Sequence, residues 1–203
     1  MELILFLIMV GIISLSGVLM PGPVFAATIA KGAESKHAGA WITLGHLLVE
    51  GPLIIAIAIG LQYFFTHSLI KIAISLAGGI LLGYMGSRMF LMRGNPAVVE
   101  QAIPTNPVFA GSITTGSNPY FILWWATIGA SLIFIALDFG FVGILAFIIV
   151  HEACDMGWNY LVSYTVYSSK TLWNQKVHAL VFGACGLFLI FFGIYFVLAI
   201  WIA

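Results

Sequence analysis

Two short stretches carry side chains that could do chemistry. Gly45-His46-Leu47-Leu48-Val49-Glu50 and His151-Glu152-Ala153-Cys154-Asp155 each place a carboxylate four residues after a histidine. On a helix that spacing puts both side chains on one face. An imidazole exchanges protons near neutral pH, and a carboxylate beside it can take up a proton or attract a cation. His46, His151 and Glu152 are therefore candidates for a proton relay, and Glu50 and Asp155 for binding a positively charged group. Glu152 points about 100° away from His151 around a helix, so it ranks behind Glu50 and Asp155. All of these residues sit inside long apolar runs. A charged side chain at the centre of a bilayer costs at least about 2.5–3.5 kcal/mol on insertion scales. Three acids with no Lys or Arg at that depth become reasonable if a substrate ammonium or a mobile proton completes the site. The simpler alternative is that each pair satisfies itself and only ties helices together.

A second pair of features interrupts the apolar runs. Met20-Pro21-Gly22-Pro23 lies well inside the first and Gly116-Ser117-Asn118-Pro119-Tyr120 inside the fourth. Proline removes a backbone donor and clashes with the preceding turn, so both runs should break there. Asn118 is a good N-cap and Pro119 suits the first helical position, so a new half-helix should begin at that point. Pro21, Gly22 and Pro23 can start another that runs to Lys31. Broken backbone at membrane depth is tolerated only against protein or a watery cavity. Paired interruptions in corresponding spans point to a transporter's binding site, although each alone could be a simple kink.

The elements that must position these groups follow from composition. Of 203 residues, 62% are hydrophobic and 7% charged, with a formal net charge of zero and a mean hydropathy of +1.14. Soluble domains carry about 25% charged residues, so this balance excludes a soluble enzyme, and zero net charge excludes an electrostatic nucleic-acid binder. The reading is an all-α, polytopic membrane protein forming a single transmembrane domain over 1–203. Six apolar runs are expected, at about Leu3–Lys31, Gly39–Tyr63, Leu69–Leu91, Pro107–Leu137, Gly140–Tyr167 and Val177–Ile202. Three spans per half would make two inverted repeats, about 1–93 and 107–203. The 22 glycines suit close helix contacts, notably at Gly78-Gly79, Gly83 and Gly86. An acidic Met1-Glu2 start and a long first run argue against cleavage after Val24-Phe25-Ala26-Ala27 as a signal peptide.

Lys31, Lys36, Arg88, Arg93, Lys170 and Lys176 fall on one side of this arrangement and Lys71 on the other. The positive-inside rule then puts both termini outside the cell. Trp41, Tyr63 and Trp201 near run ends read as interface anchors. Trp124 and Trp125 could line a cavity or pack. His37, His67 and His178 lie near connections, where a solvated histidine is the default.

Taken in order, Met20-Pro21-Gly22-Pro23, Gly45-His46 before an acid, Leu81-Leu82-Gly83-Tyr84-Met85-Gly86, Ser117-Asn118-Pro119 and His151…Asp155-Met156-Gly157-Trp158 resemble the LysE family of amino-acid exporters. The match covers about residues 1–170. The resemblance implies a six-helix plasma-membrane protein exporting amino acids, driven by the proton gradient; no cofactor is expected. It lends family weight to Pro21, Gly22, Pro23, His46, Asn118, Pro119 and Asp155, whereas Glu50 rests on its placement. The expected partners are an amino acid, protons and the lipid bilayer, with a homo-oligomer compatible and no nucleic acid.

Rival readings remain on the same residues. His46, Glu50, His151 and Asp155 could ligate a divalent metal cation as cargo of an exporter. His151-Glu152 begins like a metalloprotease motif, but Asp155 stands where a second histidine is required. A membrane thiol–disulfide electron carrier would need paired cysteines, and Cys154 and Cys185 lie in different runs outside any C-x-x-C. A purely structural subunit would leave both breaks and both acid pairs without a reason.

Overall fold

The computed structural model describes residues 2–61, 67–95, 104–169 and 171–199. These residues are helical, with no strand among them. Apolar α1 (Leu3–Val18) stops ahead of the Met20-Pro21-Gly22-Pro23 break, and α2 (Pro23–Glu34) starts with Pro23 in its first turn behind an extended Gly22. The chain bends by 77° between them. Next come α3 (Ala38–Ala56), which carries Pro52 within it, and a π-helical turn Ile57–Leu61 where Gly60 takes φ +117°. Only glycine reaches that conformation without strain. The 25-residue α4 (Ser68–Met92) follows.

The second half opens with α5 (Pro107–Gly116), whose N-cap Asn106 accepts the amides of Val108 and Phe109. The chain breaks again, and α6 (Pro119–Trp124) begins under an Asn118 side chain that accepts the Tyr120 amide. A π-helical turn Trp125–Gly129 leads into α7 (Ala130–Leu137). Then come α8 (Gly140–Ser168) and α9 (Gln175–Ala199).

Both expected breaks therefore exist, and the expected new half-helices start at Pro23 and Pro119. The fourth run differs from a simple interrupted span. Its first piece has only 10 residues, whereas Tyr120–Leu137, with 18 residues and a mean hydropathy of 2.0, is long enough on its own to cross a membrane. The π turn lets the helix continue through the two tryptophans. Among the described residues, four helices meet the length and hydropathy of a span, or five with the bent α1–α2 pair counted as one. Trp41 is exposed at the start of α3; Tyr63, Trp201 and Lys170 lie outside the described residues. His178 is not a solvated histidine: it is half-buried, its Nδ1 lies 3.0 Å from the Arg93 carbonyl, and its ring stacks on Phe182.

Large apolar side chains such as Ile59, Phe141 and Leu180 are turned outward, as lipid contact requires. Inside, one apolar cluster gathers around Phe6, Val10, Trp125 and Phe147. A second forms around Ala26, Ile29, Val162 and Phe182. Packing without a hydrophobic drive between helices depends on close backbone approach. On antiparallel α4 and α9, a Cβ on Gly79 would lie 2.7 Å from the Gly193 carbonyl oxygen, and one on Gly86 would lie 2.5 Å from that of Gly186. Gly86→Leu is expected to destabilise the protein by about 1–3 kcal/mol, lowering the melting temperature and the monodisperse yield in detergent. Gly83→Ala, whose Cβ would meet nothing within 4 Å, should leave both unchanged.

Candidate functional site

Helices α3 and α8 bring the two histidine–acid pairs face to face. His46 Nε2 lies 3.0 Å from Glu50 Oε1 on its own helix and 3.8 Å from Asp155 Oδ1 across the gap. His151 Nε2 lies 3.4 Å from Asp155 Oδ2 and 3.3 Å from Glu50 Oε1. Each histidine thus touches both acids. All four side chains are buried, Glu50 to the point of 1% exposure. The arrangement therefore answers the question left by spacing alone: the pairs are not two separate self-contained contacts but one cluster.

The outer nitrogens of both rings are held by hydroxyls from the opposite half of the chain. His151 Nδ1 lies 2.7 Å from Ser14 Oγ of α1, and His46 Nδ1 lies 2.8 Å from Thr115 Oγ1 of α5. Trp125 donates its indole N–H to Glu50 Oε1 at 2.9 Å. One turn further along α8, Asn159 donates to Thr43 Oγ1 and accepts from Thr28 Oγ1, both at 3.1 Å, joining α8, α3 and α2. His151 also sits among the rings of Trp124, Trp125 and Phe147. Glu152 stands apart from the cavity described below. It is half-buried, and its Oε1 has no hydrogen-bond partner among the described residues.

The cluster faces a cavity that is open on one side. Pro21, Gly22, His46, Glu50, Asn118, His151 and Asp155 all line it. Pro23 opens α2 behind this surface, and Pro119 contributes the first residue of α6. The two breaks meet here: a Cβ on Gly22 would lie 3.8 Å from Asn118 Nδ2. No side chain caps the N-terminus of α2, whereas Asn118 already takes the Tyr120 amide of α6. The two half-helices are thus unequal as anion sites, because unfilled N–H groups are what bind an anion there. Trp124, also lining the cavity, has a buried indole N–H without a partner among the described residues.

Ligand atoms of His46, Glu50 and Asp155 lie within 4.8 Å of one another, close enough to hold a metal ion. Cys154 and Cys185 are both free; Cys154 faces the Gly11 carbonyl and Cys185 is buried in α9. Ser14, Thr28, Thr43, Thr115 and Asn159 are site residues that sequence reasoning missed. A lone hydroxyl or amide in an apolar run signals little until its partner is known. Trp125, weighed before as either lining or packing, does both.

The chain matches the LysE type translocator family over residues 15–199. It is also 28% identical over 184 residues to the "Putative amino acid efflux protein YcgF" of Bacillus subtilis (strain 168), covering 86% of this chain and 87% of that protein. No solved structure matches the chain. With a match running from the last turns of α1 to the end of α9, the protein belongs to the LysE type translocator family, a family of transporters rather than enzymes.

Proposed function

We propose that this protein exports amino acids from the cell, using the proton gradient, through the cavity between the two broken helices. The observation that carries this reading is that both breaks and both histidine–acid pairs line one cavity. A zwitterion needs an anion site and a cation site a few ångströms apart. The uncapped N-terminus of α2 offers free amides and a positive dipole end for the carboxylate, and the Trp124 indole N–H is a further donor. Glu50 and Asp155 attract the ammonium group. His46 and His151, each in contact with both acids, pass protons to them, so proton entry and ammonium release compete for the same carboxylates. Glu152, next to His151 along α8, extends the relay away from the cavity.

The proposed topology is six spans in two inverted repeats in the cell membrane, with both termini outside. It is supported by exchanged contacts: α1 packs on α8 of the other half, and α5 packs on α3. The hydroxyl–imidazole bonds repeat that exchange, Ser14 to His151 and Thr115 to His46. Rocking one repeat against the other would open the cavity to each side in turn. The charge bias of the connections sets the orientation.

A second reading, export of a divalent cation, is favoured by the convergence of His46, Glu50 and Asp155. Mixed imidazole and carboxylate donors suit zinc or manganese. Purified protein in liposomes loaded with the twenty amino acids and with Mn²⁺ separates the two. We expect amino-acid efflux that accelerates when the outside is acidified and slows when a protonophore collapses the gradient. Efflux indifferent to the gradient would remove proton coupling. Mn²⁺ release without amino-acid release would establish the cation reading instead.

A further inference from the structure

We infer that the substrate of this cavity is an amino acid with a bulky apolar or aromatic side chain, a conclusion that rests on the amino-acid reading above. The charged groups are confined to one wall. His46 and Glu50 come from α3, and His151 and Asp155 from α8. The apolar part of the lining comes from the α4–α9 pair and α6: Leu82, Phe188, Leu189, Phe192 and Tyr120, with Phe121 edge-on to His46 at 5.3 Å. Leu82 is 0% exposed and Leu189 3% exposed, so these side chains are fixed rather than free to swing aside. Phe188 and Phe192 have ring centroids 4.5 Å apart, and Tyr120 meets Phe192 edge-on at 6.3 Å.

This wall is also rigid at the backbone. Leu82 lies between Gly79 and Gly86, and Leu189 between Gly186 and Gly193, the glycines at which α4 and α9 approach most closely. A wall so held presents a preformed apolar surface, which rewards a matching side chain and gives nothing to a polar one.

Charge narrows the class further. Among the described residues no Lys or Arg lines the cavity, so an acidic side chain would meet Glu50 and Asp155 with only His46 and His151, already engaged by those acids, to offset the repulsion. A lysine or arginine side chain would have to leave bulk water for a lining in which its α-ammonium already competes for Glu50 and Asp155, and a cation–π contact returns only about 0.5–2 kcal/mol of that desolvation. Threonine and homoserine would set a hydroxyl against Leu82 and Leu189, where a buried polar group without a partner is costly. Leucine, methionine and phenylalanine meet none of these penalties and bury their side chains on the wall.

The test uses the same proteoliposomes, loaded with equal concentrations of leucine, phenylalanine, threonine, lysine and glutamate, with release followed by mass spectrometry. Leucine and phenylalanine should leave about tenfold faster than the other three, or more, as burial of a full apolar side chain implies. In Phe188→Ala the ratio of phenylalanine to threonine release should fall; a second variant, Phe192→Leu, keeps the wall apolar with a smaller side chain and should shift preference from phenylalanine toward leucine. Threonine, lysine or glutamate leaving as fast as leucine would overturn this inference and leave amino-acid export standing. Release of none of the five would overturn this inference, and amino-acid export falls with it only if none of the twenty leaves.

Discussion

Glu50→Gln is expected to cut efflux by about 10²–10³-fold, and Asp155→Asn by a similar factor. Glu50 is almost completely buried, and one of its oxygens receives Trp125 Nε1 at 2.9 Å with His46 Nε2 at 3.0 Å and His151 Nε2 at 3.3 Å. Glutamine keeps the shape and an accepting oxygen, so the indole bond can persist. What it cannot do is carry negative charge to an ammonium or take a proton from either imidazole. Removing one partner of a buried charge pair costs about 3–5 kcal/mol of stability; an interaction of about 3–4 kcal/mol lost from the transport cycle corresponds to the factor given above. Efflux from proteoliposomes measures the effect, and melting in detergent shows whether the variant remains folded. A folded Glu50→Gln protein exporting at the wild-type rate would remove Glu50 from the mechanism. The same result in Asp155→Asn would reduce the cluster to a structural tie.

Gly45→Leu should be the most damaging single change outside the charged cluster. A Cβ on Gly45 would lie 1.9 Å from the Val108 carbonyl oxygen, and one on Gly111 would lie 2.1 Å from that of Ile42. Both sets of obstructing atoms are backbone, so α3 and α5 would have to separate. Separation would pull Thr115 away from His46, a bond of 2.8 Å, and open the crossing that Ser112 Oγ makes with the Gly45 carbonyl at 2.9 Å. Overpacking of this kind costs about 1–3 kcal/mol and more where the backbone is the obstacle. We expect aggregation in detergent and no efflux. Gly157→Ala makes the control: a Cβ there meets nothing within 4 Å, and alanine favours a helix interior by about 0.5–1 kcal/mol. A stable, active Gly45→Leu protein would contradict the close crossing of α3 and α5.

The two breaks were legible from sequence because proline acts locally. Pro23 and Pro119 can begin a helix but cannot continue one, whatever surrounds them. The pairing of His46 with Glu50 was legible for the same reason, as four residues on a helix share a face. The meeting of the two pairs was not legible, because it depends on how α3 and α8 approach. That approach is set in part by Gly39, whose absent side chain leaves room for the Asn159 carbonyl. The division of the fourth run escaped sequence reasoning too. The π turn at Trp125–Gly129 is a response to packing, with Trp125 buried among Phe147 and His151. Periodicity carries no sign of an extra residue in one turn. Thr28, Thr43 and Asn159 form a polar bridge whose members lie on three helices, and no local pattern links them.

The hydroxyls of Ser14 and Thr115 have a mechanical consequence. Each belongs to the first helix of one half of the chain and grips the histidine of the other half, so a displacement that separates α1 from α8 or α5 from α3 lengthens one of these bonds. An imidazole released at Nδ1 is free to exchange its tautomer and turn its other nitrogen, the one shared by Glu50 and Asp155. In the proposed transport cycle, shape change and proton position would thereby be geared to each other at two small contacts, without either acid having to travel.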